Sequence, residues 1–188
     1  MVNMPKYTSE VTGWASVVAY DPGGATGWSV MAVNPRDLLN NTRELHRVVK
    51  HFAHGEIGGG EMERVDQLTE LVDSWNDAAV VGEGFVLAKF SQDEELFSPM
   101  RINACVQWFL HGYGRVLFKQ SAQSAKSRWT DERLKHCKSA GKAWYVPGPD
   151  HQRDAVRHAA LFLGRCRDQP KLRAGAWPHI FNTDGSLK

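Results

Sequence analysis

Residues 17–33 read VVAYDPGGATGWSVMAV. Two apolar, β-branched runs flank a segment rich in Gly and Pro, and this pattern predicts two strands joined by a tight connection. Asp21 lies at the end of the first run, so its carboxylate is predicted to project from the end of an otherwise buried strand. A lone Asp-Pro-Gly more often only caps a turn. A chemical role for Asp21 therefore depends on other residues of the chain.

The composition is typical of one globular domain. The chain has 188 residues, of which 42% are hydrophobic and 23% charged, and its seven Trp residues argue against disorder. We expect a single domain over 1–188, with an ordered core at about 14–168 and an irregular tail at 169–188. Cys105, Cys137 and Cys166 are too far apart for a zinc site or a disulfide framework, and Cys105 and Cys166 are expected in the core. No signal peptide or membrane-spanning run is apparent, which predicts a cytoplasmic protein.

Charge is distributed unevenly along the chain. Residues 115–173 contain 14 Lys and Arg against 5 Asp and Glu, whereas residues 1–114 contain 8 against 15. A basic C-terminal third is a plausible surface for a polyanion such as nucleic acid. A run of like charges is more often only a solvated face, so the imbalance alone leaves the partner open.

The rest of the chain predicts a mixed α/β sheet. Three strands in succession are followed by strands that alternate with helices, which indicates a five-stranded sheet with antiparallel strands 1–3 and a parallel remainder, flanked by helices. The predicted elements after the hairpin are a strand at 45–54, a helix at 61–75, a strand at 78–83, a helix at 99–111, a strand at 115–119, a helix beginning near Thr130, and a last helix from 150 or 151 to about 166.

Several potential metal ligands follow the predicted strand and helix ends. Glu83 ends the fourth strand as Asp21 ends the first, so parallel neighbours would place both carboxylates at one sheet edge. His151 and Asp154 share a helix face at i and i+3, and Asp150 could replace His151. Carboxylates gathered in this way repel one another unless a cation neutralises them, and oxygen ligands with one imidazole suit Mg²⁺ or Mn²⁺.

Three segments, in this order, resemble the motifs of the RuvC-type Holliday junction resolvases of the RNase H-like superfamily. They are Val18 to Trp28, with Asp-Pro-Gly before Thr-Gly-Trp; Val80-Val81-Gly82-Glu83 with the run that follows it; and His151-Gln152-Arg153-Asp154-Ala155. The short length and Arg157-His158-Ala159 are more similar to phage-encoded members, which would act in the host cytoplasm. In that family, an aromatic residue that wedges into the junction centre often lies a few residues after the second acid. Phe85 and Phe90 are both near that spacing, but neither matches it cleanly.

The resemblance implies an RNase H-like nuclease that binds branched DNA as a homodimer. Two Mg²⁺ ions, with Mn²⁺ able to substitute, would be held by Asp21, Glu83, His151 and Asp154, with Asp150 in reserve. The helix at 99–111 is the candidate dimer interface, although its apolar stripe could equally be buried within one chain. The candidate DNA contacts are Lys89, Lys119, Lys126, Arg128, Phe85 and Phe90.

Other functions fit part of the same pattern. A nuclease for flaps and forks would use the same acids, and a non-catalytic junction-binding protein would keep the fold without the chemistry. The segment Asp-x-Gly-x-x-Thr-Gly also resembles a phosphate loop of sugar kinases and actin-like ATPases. Those proteins need two such domains, and 188 residues hold one.

Overall fold

The computed structural model describes residues 13–85, 94–148 and 150–188. Its strands are β1 (Ala15–Asp21), β2 (Thr26–Val33), β3 (Val49–Ile57), β4 (Ala79–Glu83), β5 (Leu117–Gln120), β6 (Lys138–Ser139) and β7 (Lys142–Ala143). Its helices are α1 (Pro35–Leu38), α2 (Leu45–Val48), α3 (Glu61–Ser74), α4 (Ser98–Gly112), α5 (Ala122–Arg128), α6 (Asp131–Lys135), α7 (Asp150–Asp168) and α8 (Pro170–Ala176). A 3-10 helix (Glu94–Phe97) precedes α4.

The five long strands form one mixed sheet in the order β3-β2-β1-β4-β5. β2 pairs antiparallel with both β1 and β3, whereas β4 pairs parallel with β1 and β5. This is the predicted arrangement of an antiparallel hairpin edge and a parallel remainder. Helical crossovers join the parallel strands, as such connections require.

Helices cover both faces of the sheet. Alternate side chains of β1 therefore pack into two separate apolar cores, one on each face. Val17 and Ala19 pack on the side of α7, together with Trp144 and Trp177. Val18 and Tyr20 pack on the other side, against the apolar residues of α3 and α4. Alternation along the strand places the next residue, Asp21, on the α7 side. The position of the acid thus follows from the strand that carries it.

The third strand and the C-terminal tail are two of the predicted elements that differ from the structure. The third strand begins at Val49 rather than Leu45, because residues 45–48 form the single turn of α2 with Leu45 and Val48 both buried. The predicted irregular tail is wrong for residues 170–176, which form α8. Trp177 after it is fully buried, and its indole N–H donates to the carbonyl oxygen of Ser16 at 2.9 Å. The Pro and Gly residues of this segment predicted an irregular structure, but burial of Trp177 against β1 orders it.

Two further observations concern the cysteines and the membrane. Cys166 lies in the core as expected, while Cys105 is only half-buried, at the edge of the α3–α4 core. Within the described parts of the chain, none of the helices combines the length and apolarity that crossing a bilayer requires.

Candidate active site

Asp21 and Glu83 lie at the carboxyl ends of neighbouring parallel strands. β1 and β4 are paired through Tyr20 and Gly82, the residues immediately before the two acids. This confirms that the two strands end at the same sheet edge, where ligands usually bind in open α/β folds. The Asp21 residue is 6% exposed. The Glu83 side chain is 20% exposed, so both acids are largely shielded from water.

The first turn of α7 crosses directly over this edge. Gly27 allows the close approach: a Cβ there would lie 2.0 Å from the carbonyl oxygen of His151 and 2.5 Å from the backbone nitrogen of Gln152. A Cβ at Gly23 would similarly lie 2.4 Å from the His151 imidazole. Two glycines of the opening hairpin therefore make room for the helix that carries His151 and Asp154.

The predicted ligands of the site have charged or imidazole partners. His151 Nδ1 is 2.8 Å from Asp21 Oδ2. Asp154 pairs with Lys126, whose Nζ is 2.9 Å from Oδ2, and its other oxygen accepts a hydrogen bond from Arg157. The Asp154 side chain is only 6% exposed, so this carboxylate is buried with two cations around it.

Asp21 is the acid whose charge the fold disfavours most clearly. Burial, and after it the negative charges of Glu83 and Asp154, raise the pKa of Asp21 to about 6, although the hydrogen bond and the charge of His151 act in the opposite direction. Asp21 therefore lies within electrostatic reach of both Glu83 and Asp154. A positive charge between them would stabilise the ionised form of Asp21.

The side chains of Asp21, Glu83, His151 and Asp154 are of the types that bind a hard divalent cation, although each of them is in contact with a partner side chain. Among residues 13–85, 94–148 and 150–188, no three His, Cys, Asp or Glu side chains are already grouped as a metal site. Three carboxylates and an imidazole are nevertheless the donors that Mg²⁺ and Mn²⁺ accept. The raised pKa of Asp21 reflects in part a mutual repulsion that such a cation would relieve. The residues therefore fit the cation by charge and donor type, and Lys126 and Arg157 partly supply that charge at Asp154.

His158 is a site residue that the sequence patterns did not identify. Its side chain is fully buried, with Nε2 3.2 Å from Glu83 Oε2 and Nδ1 3.3 Å from Gln120 Oε1. On α7 it follows Asp154 by four residues and His151 by seven, so helical spacing places all three on one face. The spacing of His158 from His151 and Asp154 was the signal in the sequence that could have identified it. The contact between His158 and Glu83 could not be predicted from that spacing, because it depends on the tertiary fold.

Asp150 is placed differently from its neighbour His151. Its side chain is 68% exposed and pairs with Arg153. Arg153 also contacts Asp131 of α6, with Nε 3.3 Å from Oδ1. Of the two residues left open as the fourth ligand, the structure brings His151 to Asp21 and turns Asp150 to another partner.

The predicted DNA contacts occupy several places around the site. Lys126 is at the site itself, whereas Lys119 is exposed near the end of β5, opposite Gly82. Arg128 is exposed at the end of α5, and Phe85 is half-buried two residues after Glu83. Lys89 and Phe90 lie outside the described residues. Contacts of Lys119, Lys126 and Arg128 with DNA thus stay predictions, and of the three only Lys126 contacts an acid of the site.

Comparison with known proteins identifies the fold. No protein-family model matches this sequence, and no curated protein matches it. Among solved structures, Thermus thermophilus RuvC in complex with a Holliday junction substrate is 18% identical, with a TM-score of 0.57 over 82% of this chain and 96% of that chain. A second structure of Thermus thermophilus RuvC is 16% identical, with a TM-score of 0.56 over 81% and 96%.

A eukaryotic protein has a similar structure. The yeast mitochondrial Holliday junction resolvase Ydc2 is 13% identical to this chain, with a TM-score of 0.55 over 90% of this chain and 82% of that one. At such low identity the likeness establishes architecture. The chain has the RNase H-like fold of the RuvC-type Holliday junction resolvases, which confirms the fold that the sequence motifs implied.

Proposed function

We propose that this chain is a metal-dependent, structure-selective endonuclease that resolves four-way DNA junctions by hydrolysing a pair of phosphodiester bonds. One observation carries the proposal: Asp21 and Glu83 end adjacent parallel strands, and α7 brings His151 and Asp154 over them. The same edge lies in a fold shared with resolvases, one of them in complex with a Holliday junction.

Asp21, Glu83, His151 and Asp154 would hold the catalytic cations. When bound, two Mg²⁺ ions, or Mn²⁺ in their place, supply a nucleophilic hydroxide at neutral pH and stabilise the charge on the leaving oxygen. Asp21 contacts His151 directly, and the charges of Glu83 and Asp154 both raise the pKa of its carboxyl group. His151 orients the Asp21 carboxylate through its Nδ1 contact, and His158 orients Glu83.

Lys126 connects the acids to the DNA backbone. Its side chain is 52% exposed although its ammonium group contacts the buried Asp154. With a cation held at Asp154, the Lys126 ammonium group would instead contact a phosphate oxygen beside the reacting bond. The backbone contacts of such basic residues would make the affinity for DNA fall steeply with salt.

The experiment that tests the proposal uses a synthetic four-way junction with each strand labelled in turn. We expect paired nicks in opposite strands with Mg²⁺ or Mn²⁺, yielding products that ligase can seal, and no cleavage with EDTA. Equal cleavage of flaps and forks would indicate the broader branched-DNA nuclease. Junction binding without cleavage in either metal would instead indicate a non-catalytic junction-binding protein.

Paired cleavage requires two active sites, so we also propose that the chain acts as a homodimer. The apolar stripe of α4 (Ile102, Val106 and Leu110) is buried within the monomer and does not supply the interface. The opposite side of α4 exposes Trp108 by 80%, and Val116, which immediately precedes the edge strand β5, is exposed by 65%. These residues line a surface cleft of about 730 Å³, which we term the α4–β5 surface. An exposed Trp is a typical anchor of a two-fold interface.

Substituting Trp108→Glu should convert the dimer to monomers, because a carboxylate cannot be desolvated in an apolar interface without a partner. Sedimentation equilibrium over a range of concentrations measures the change, and we expect the dissociation constant of the dimer to rise by roughly 100-fold. Thr42→Glu adds the same charge at another exposed position and should leave the dimer intact. An unchanged dimer in Trp108→Glu would place the interface elsewhere.

A further inference from the structure

A basic cleft lies along the C-terminal half of α7, the helix whose first turns carry His151 and Asp154. It has a volume of about 780 Å³ and is bounded by α2, the α5–α6 segment and the C-terminal half of α7. Its lining includes five arginines, namely Arg47, Arg128, Arg133, Arg165 and Arg167, and also His46 and His136. Two acids, Glu44 and Asp168, line it as well. The lining of the cleft therefore has a net positive charge even when His46 and His136 are counted as neutral.

Three of the arginines are available to a ligand. Glu44 is engaged by Arg47, with Nε 3.2 Å from its Oε2. Arg167 donates to the backbone carbonyls of Leu38 and Arg43. Within residues 13–85, 94–148 and 150–188, by contrast, Arg128, Arg133 and Arg165 form no ion pair with a carboxylate. Unpaired guanidinium groups that line a concave surface attract phosphate groups.

Arg133 is held in a defined position. Its guanidinium lies over the ring of Trp129, 4.1 Å from the centroid, and its Nη1 donates to the carbonyl oxygen of Arg128 at 3.1 Å. A guanidinium fixed by stacking loses less conformational entropy when it binds an anion than a freely rotating one. Trp129 is itself buried, since its ring belongs to the core beneath the cleft. Arg133 is therefore held in place at the cleft before any anion binds.

The cleft lies on the same side of α7 as the site acid Asp154. Leu161 and Arg165 follow Asp154 by seven and eleven residues, spacings that return to nearly the same helix face. At about 1.5 Å per residue, Arg165 is roughly 16 Å along the helix from Asp154. Arg128 lines the cleft together with Arg133, whose guanidinium donates to the Arg128 carbonyl oxygen.

We propose that this cleft binds the phosphate backbone of a duplex arm of the junction, away from the scissile bond. The inference rests on the proposed function and adds a second DNA contact to it. At about 3.4 Å per nucleotide along one strand, a distance of roughly 16 Å corresponds to roughly five base pairs. An arm that runs along α7 therefore reaches Arg165 only when it extends beyond about that length.

The test compares junctions that differ only in arm length. Arg128→Gln/Arg165→Gln removes two exposed charges, so the fold should be unaffected. With arms of about twelve base pairs, we expect the slope of log affinity against log salt to become shallower by about two, because two phosphates are no longer neutralised by an arginine. With arms of about three base pairs closed by hairpin loops, the double variant and the unsubstituted chain should bind equally well.

A control variant removes two charges outside the cleft lining. Arg36→Gln/Lys171→Gln should leave the salt slope unchanged on long arms. The inference is overturned if the cleft variant binds long arms as the unsubstituted chain does, if it weakens binding to both junctions equally, or if the control variant weakens binding as much. Failure of the unsubstituted chain to bind either junction would instead refute the proposed function, and this inference with it.

Discussion

Asp21→Asn should abolish junction cleavage, lowering the rate by at least about 10³-fold, while binding to the junction stays within about threefold. Glu83 and Asp154 both act electrostatically on this carboxylate, and His151 contacts it directly. An amide of the same shape keeps the packing but removes the charge that would hold a cation. Single-turnover nicking and equilibrium binding in Ca²⁺ measure the two quantities separately. Asp66→Asn, at an exposed acid on α3, should leave both unchanged.

The same variant should be more stable than the unsubstituted chain at neutral pH when no metal is present. Since the pKa of Asp21 is raised to about 6, the folded state binds more protons than the unfolded state between about pH 4 and pH 6. The unsubstituted chain consequently loses stability as pH rises through that window, whereas the amide does not titrate. We expect a difference of about 1–3 kcal/mol in the free energy of unfolding at about pH 7.5, vanishing near pH 4.

Denaturant titrations in EDTA at several pH values measure this difference. Added Mg²⁺ should then stabilise the unsubstituted chain and leave Asp21→Asn nearly unaffected, because a ligand stabilises only the state that binds it. An Asp21→Asn variant that cleaves junctions at the original rate would remove Asp21 from the mechanism. Equal stabilisation of both proteins by Mg²⁺ would place the cation elsewhere.

Gly27→Ala should destabilise the protein by about 3 kcal/mol and slow cleavage by about 10²-fold or more. The new methyl group would meet the backbone of His151 and Gln152 at 2.0–2.5 Å, well inside van der Waals contact. A backbone cannot rotate away as a side chain can, so the first turn of α7 must shift. That shift would carry His151 and Asp154 away from Asp21 and Glu83.

Gly24→Ala is the matched control, because a Cβ at that glycine would meet no atom within 4 Å. We expect its free energy of unfolding to stay within about 0.5 kcal/mol of the original. Thermal unfolding and single-turnover cleavage of the two variants provide the comparison. A Gly27→Ala protein as stable as Gly24→Ala would contradict the close packing of α7 on the hairpin.

Much of the fold could be predicted because its signals are local. β-branched runs that end in Gly or an acid define the main strands, and the spacing of Val65, Leu68 and Val72 defines α3. The edge shared by Asp21 and Glu83 followed from the rule that parallel strands end together. The tail could not be predicted in this way, because α8 is ordered by burial of Trp177 against β1 rather than by its own periodicity.

By itself, the sequence determined the sheet, the strand ends that carry Asp21 and Glu83, and the helix that carries His151 and Asp154. Only the tertiary structure decided which partner each side chain takes. It directs His151 to Asp21 and Asp150 to Arg153, pairs Lys126 with Asp154, and buries His158 against Glu83. The physical reason is that strand and helix patterns depend on neighbours a few residues away. Ion pairs and hydrogen bonds between elements instead depend on how closely those elements pack, which here is set by a missing side chain at Gly27.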